Sequence, residues 1–130
     1  MTDFTAVGTQ FLQHFYNTFD TDRKGLAQLY DAANSMLTFE SEQFMGVEAI
    51  LQKLSSFNQV KHKINTFDVQ PSVSNCIICF VTGELYIDDS QNPLMFSQTF
   101  YLVPGGSAGY YVHNDMFRLN MAWAWFIIAA

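Results

Sequence analysis

The chain has 130 residues, enough for one domain over 1–130 that buries roughly two-thirds of its unfolded surface without a disulfide staple. Twelve acidic residues against six basic ones leave a net charge of −6, which opposes phosphate tracking and argues against DNA or RNA as partners. Hydrophobic residues make up 49% and thirteen are Phe, so an aromatic-rich packed core is expected rather than a disordered chain.

The N-terminal stretch "MTDFTAVGTQ" has neither the basic region nor the apolar run of a leader, and none is expected. Phe4, Phe11, Leu12, Phe15, Tyr16 and Phe19 recur at spacings of three, four and seven, which predicts a first helix over 4–19 with one face in the core. "DTDRKG" at 20–25 ends it with turn formers and opens a short second helix, whose apolar side is Leu26, Leu29 and Tyr30. "MLTFE" at 36–40 reads as a brief strand. Gly46 then precedes "VEAILQKLSSF" at 47–57, where Val47, Ile50, Leu51 and Leu54 share a helical face and predict a third helix.

Past residue 58 the period shortens to two. "QVKHKINTFDVQ" at 59–70 alternates imperfectly, and Pro71 to Asn75 make a turn. Long strands are expected at 76–88, 94–103 and 110–120, separated by "DSQNP" and "PGGSAG". Helices first and a meander last give an α+β class: three N-terminal helices on a strongly bent antiparallel sheet, enclosing a hydrophobic cavity on its concave side. After Asn120 the run "MAWAWFIIAA" is ten residues long, about half of what a bilayer requires, so no membrane insertion is expected. Packing on the domain, covering a subunit interface and being an expression remnant all stay open for the tail 122–130.

Cys76 and Cys79 form a C-x-x-C, but on a strand residues three apart point to opposite faces, and His14, His62 and His113 are scattered without ligand spacing. Buried structural thiols in a reducing, intracellular compartment are expected, with no metal and no cofactor. Two polar constellations stay ambiguous. Tyr16 and Glu40 could face one pocket as a proton-transfer pair, or Tyr16 could complete the core while Glu40 sits in water at a rim. Asp88 and Asp89, in "GELYIDDSQNPLMF", suit a plain hairpin turn, yet two carboxylates at a tip also make a field that orients a basic partner.

Taken together, "QFLQHFYNTFDTDR", "MLTFESEQFMG", "ILQKLSS", "GELYIDDSQNP", "FSQTFYLVP" and "HNDMFRLN" resemble the nuclear transport factor 2 family, in the right order from about residue 4 to residue 121. The resemblance implies a cone-shaped fold, paired sheet to sheet as a homodimer. It implies a carrier, not an enzyme, that takes the GDP-bound small GTPase Ran into the nucleus while touching phenylalanine-glycine repeat nucleoporins. Its places would be the cytoplasm, the nucleus and the nuclear pore complex.

In the family an aromatic side chain of Ran enters the cavity mouth and acidic residues around it pair with basic ones. The matching positions are Glu40, Asp88 and Asp89, with His62 near the same opening. Phe39 and Phe57 would line the cavity, although Phe39 also suits plain core packing. Phe4 matches the aromatic used for repeat binding. The segment Phe57–Asn58 is about two residues shorter than the family's usual connection, and the final "AWFIIAA" has no counterpart. Two rival readings share the fold: a cavity enzyme of isomerase or dehydratase type, and a scaffold that binds repeats alone.

Overall fold

The structure is a computed structural model and describes residues 3–120; the tail beyond lies outside the described residues. Asp3 starts helix α1 (Phe4–Thr21): its carboxylate accepts the Ala6 N–H at 3.1 Å and its carbonyl the Val7 N–H at 3.0 Å, serving amides with no earlier turn to bond. The expected stripe is the buried face, with Phe11, Leu12, Phe15, Tyr16 and Phe19 all in the core. The second helix, Arg23–Leu29, is 3₁₀ and brief, and it drives Leu26 and Leu29 fully inside.

Helix α2 (Val47–Leu54) ends three residues before the expected boundary. Ser56 returns both its N–H (3.1 Å) and its hydroxyl (2.6 Å) to the Lys53 carbonyl, while Arg23 Nη1 takes the Leu54 carbonyl at 3.0 Å. The helix-end carbonyls are thus satisfied early, and Phe57 falls in the following connection. No helix among the described residues is long and apolar enough to cross a membrane.

Six strands, β1 (Met36–Phe39), β2 (Glu42–Met45), β3 (Val60–Pro71), β4 (Ile77–Ile87), β5 (Leu94–Pro104) and β6 (Tyr110–Leu119), form one curled, unclosed sheet in the order β2-β1-β6-β5-β4-β3. β2 was not expected. Its hairpin turns on Glu40 and Ser41, both at positive φ (50° and 77°), as a two-residue primed turn requires. Such turns are usually announced by Asn-Gly or Asp-Gly, and Glu-Ser gives no such signal. The sheet is also not wholly antiparallel: β1 runs parallel to β6, because everything from α2 to β5 intervenes as a crossover between them.

Two irregularities break the alternation of faces. In β3 the register slips between Ile64 and Thr66, so Val60 and Ile64 lie against the core before it and Val69 after it. This is why 59–70 alternates poorly. In β6 the pairing jumps from Tyr101↔Asn114 to Leu102↔Val112, leaving His113 unpaired. Val112 points inward, and beyond the bulge so do Asp115, Phe117 and Leu119.

The curl needs a residue without a side chain at Gly83. A Cβ there would press on the Lys63 carbonyl and stand 2.9 Å from the Phe96 ring. Gly83→Ala is expected to cost about 1–3 kcal/mol through this overpacking, read as a lower urea midpoint with an unchanged slope.

Candidate functional site

The concave side of the sheet holds an apolar cavity whose walls run from Gln98 and Asp115 inside to Phe39, Phe57, Val60 and Ile87 at one end of the sheet. At that end β1, β4 and β6 finish while β3 and β5 begin. The volume is about 20 Å³, room for a water, whereas a benzene ring occupies a cavity of roughly 150 Å³. The rim rings account for the tight fit. Phe39, 5% exposed, stacks on Phe117 at 4.5 Å and 4°, and Phe57 leans on it at 5.4 Å. Lys53 Nζ stands 5.3 Å from the Phe39 centroid and 5.8 Å from those of Phe44 and Phe57, and pairs with Glu42 at 3.1 Å.

A polar chain lies in the cavity's interior. The Tyr16 hydroxyl donates to Gln98 Oε1 (2.8 Å), Gln98 Nε2 to Asp115 Oδ1 (2.8 Å), and the Tyr30 hydroxyl to Asp115 Oδ2 (2.9 Å). Burial raises the Asp115 carboxyl from 3.8 to about 6, against the lowering effect of its bonds from Gln98 and Tyr30. Burial also lifts both tyrosines, so they stay hydroxyl donors. Cys79, on the inner face of β4, is pushed up to about 12 by burial and is inert; Cys76 is buried just before that strand. Both thiols are buried, as expected.

His62 forms the wall between the cavity and a polar groove that also contains Asp20, Lys61, Asp89 and Gln91. Its ring lies among Tyr16, Phe19 and Phe96, with centroids 4.8, 4.8 and 5.6 Å away. Asp20 accepts from the His62 backbone N–H at 2.8 Å, and its other oxygen lies 2.7 Å from Nδ1. Asp88 and Asp89 occupy the left-handed region (φ 52° and 60°), where Asp is tolerated. Asp88 exchanges hydrogen bonds with Gln59, its N–H donating at 2.9 Å and its carboxylate accepting at 3.2 Å, whereas Asp89 faces the groove.

Glu40 follows β1, in the hairpin turn, and is less solvated than a rim carboxylate in water would be. Its side chain is 6% exposed, accepts the Leu119 N–H, and lies 3.9 Å from Arg118. Glu40 and the Asp88–Asp89 turn share one end of the sheet, three inter-strand steps apart across β6 and β5, about 14 Å if laid flat. Phe4, the first residue of α1, is half-buried.

The Tyr16–Glu40 pair is not assembled. Tyr16 bonds Gln98, and Glu40 bonds the end of β6. The carboxyl that shares Tyr16's network is Asp115, which the sequence reading did not single out. Its signal was the in-phase triplet Asp115, Phe117, Leu119, masked by the bulge before it.

The Asp115 shift carries a pH dependence. The folded chain keeps a proton that the unfolded chain releases, so this contribution is fully present below about pH 4 and lost as pH rises through about 6. The loss is on the order of 3 kcal/mol. Asp115→Asn is expected to flatten the slope of stability between pH 4 and 7, measured by urea midpoints across that range.

The sequence profile of the Nuclear transport factor 2 (NTF2) domain matches residues 7–119. Nuclear transport factor 2 of Neurospora crassa is 50% identical over 119 residues, 90% of this chain and 95% of that protein. That of Saccharomyces cerevisiae is 49% identical over 121 residues, 91% of this chain and 95% of the relative. Among solved structures, nuclear transport factor 2 from Cryptosporidium parvum superposes with a TM-score of 0.83 at 49% identity, covering 90% of this chain and 94% of that one. On its architecture and on these matches, the chain belongs to the nuclear transport factor 2 family.

Proposed function

We propose that the chain is a nuclear import carrier that binds Ran in its GDP-bound form and crosses nuclear pores through weak contacts with phenylalanine-glycine repeat nucleoporins. The observation that carries this reading is the apolar, aromatic-rimmed cavity sharing its end of the sheet with Glu40 and the Asp88–Asp89 turn. An aromatic side chain buried there would contribute about 1.5–3 kcal/mol, against about 0.2–1 kcal/mol for each exposed charge pair around it. The cavity anchors and the acids select. Asp89 faces the groove beside the mouth, His62 stands buried in the wall between that groove and the cavity, and Phe57 is the part of the apolar lip that gives way beside the fixed Phe39.

The outer face of the sheet supports a homodimer. Phe80 (44% exposed) and Met116 (54% exposed) lie in one cross-strand row through Thr99, an apolar strip suited to a second copy. A carrier working this way is present in cytoplasm, nucleus and pore. The cavity-enzyme reading fits less well. The carboxyl inside is buried and both of its oxygens already accept hydrogen bonds, from Gln98 and from Tyr30.

Isothermal titration with Ran loaded with GDP or with GTP tests the carrier reading. The wild type is expected to bind the GDP form only, and Asp89→Lys and Glu40→Lys to weaken it at least about tenfold, since each sets a cation against cations. Asp89→Lys should lower the melting temperature only slightly, since lysine is less at ease than Asp in the left-handed region; Glu40→Lys should lower it more, because the Leu119 amide loses its acceptor. Equal affinity for both nucleotide states, or for wild type and Asp89→Lys, would remove the assignment.

Phe4→Ala should reduce retention on an immobilised phenylalanine-glycine repeat peptide while leaving the Ran titration intact. Parallel loss of both would point to misfolding of α1 instead.

A further inference from the structure

We infer that Lys53 is the latch of the cavity mouth, its ammonium holding Phe57 against Phe39 so that an aromatic side chain enters only after this contact lets go. The inference deepens the carrier reading and rests on it for the biological ligand, though the latch itself is a property of the chain alone. Lys53 projects from the last turn of α2, where a cation suits the helix end. Its ammonium is within 6 Å of three ring centroids, the range of cation–π attraction, and those rings come from β1, β2 and the α2–β3 connection.

An ordinary surface ion pair would leave both partners in water. Here Glu42 is 58% exposed and Lys53 only 18%, so the lysine is drawn onto the rings and the carboxylate secures it from outside. Phe57 is the part able to move. Arg23 donates to the carbonyls of Leu54, Phe57 and Asn58, fixing that connection's backbone and leaving its half-buried ring as the adjustable element. Phe39, stacked on Phe117 and buried, stays as the fixed jamb.

Toluene titrated into the full chain reads the latch without any partner, followed by methyl chemical shifts of Leu85 and Ile87 in the cavity wall. Lys53→Gln keeps most of the side-chain volume and removes the charge. It is expected to bind toluene about fivefold more tightly than wild type, as the loss of shared cation–π attraction would give. Lys53→Arg, which restores a cation over the rings, should match wild type. Glu42→Gln, at an exposed position that does not endanger folding, should shift affinity the same way by a smaller factor and decides the matter if Lys53→Gln unfolds.

Equal toluene affinity in wild type, Lys53→Gln and Glu42→Gln overturns the latch, as does Lys53→Arg behaving like Lys53→Gln. A toluene response without Ran-GDP binding keeps the latch and sinks the carrier reading; Ran-GDP binding without a toluene response does the reverse.

Discussion

A β-strand shows its two faces to alternate residues, and a single extra residue exchanges them for everything that follows. This chain makes that exchange twice, at Ile64–Thr66 in β3 and at His113 in β6. The first lets Val69 settle against α1 at Gly8. The second turns Asp115, Phe117 and Leu119 inward and Met116 and Arg118 outward. Without the shift in β6 a buried carboxyl would not reach Gln98 and Tyr30, Phe117 would not back Phe39, and the outer strip would lose Met116.

The two faces of the sheet consequently do different work. The inner one is nearly all apolar, with one polar chain threaded through it, and each polar atom of that chain has a partner. Satisfied in this way, a polar network inside apolar packing ties α1, the segment after the 3₁₀ helix, β5 and β6 to one arrangement. The cavity between that fixed interior and the rim is small because the rim rings lean over it, so its capacity is set by side-chain rotation and not by backbone movement.

Much of this was legible in the sequence. The stripe from Phe11 to Phe19, the apolar face Ile50–Leu54 and the long strands after residue 76 follow simple periods, and each was found where its period placed it. β2 was hidden because Glu40–Ser41 adopts a turn that its residue types do not advertise. The end of α2 was overrun because, beside the local bonds of Ser56, one of the groups that satisfy its last carbonyls comes from Arg23, thirty-one positions away from Leu54. Asp115 escaped notice since a strand read with unbroken alternation would have sent it to solvent. Glu40 was found just after β1, but its grip on the Leu119 amide depends on the parallel neighbour β6, which no local pattern reveals.

An unclosed sheet has two rims with hydrogen-bonding groups to spare, and each invites a foreign strand. At one rim, β2 is only four residues long and carries the exposed charge of Glu42. At the other, the outward amide of His62 is already claimed by Asp20 from the helix lying over it. The carboxylate that holds the His62 ring with one oxygen thus occupies with the other an edge amide that an intruding backbone would otherwise take.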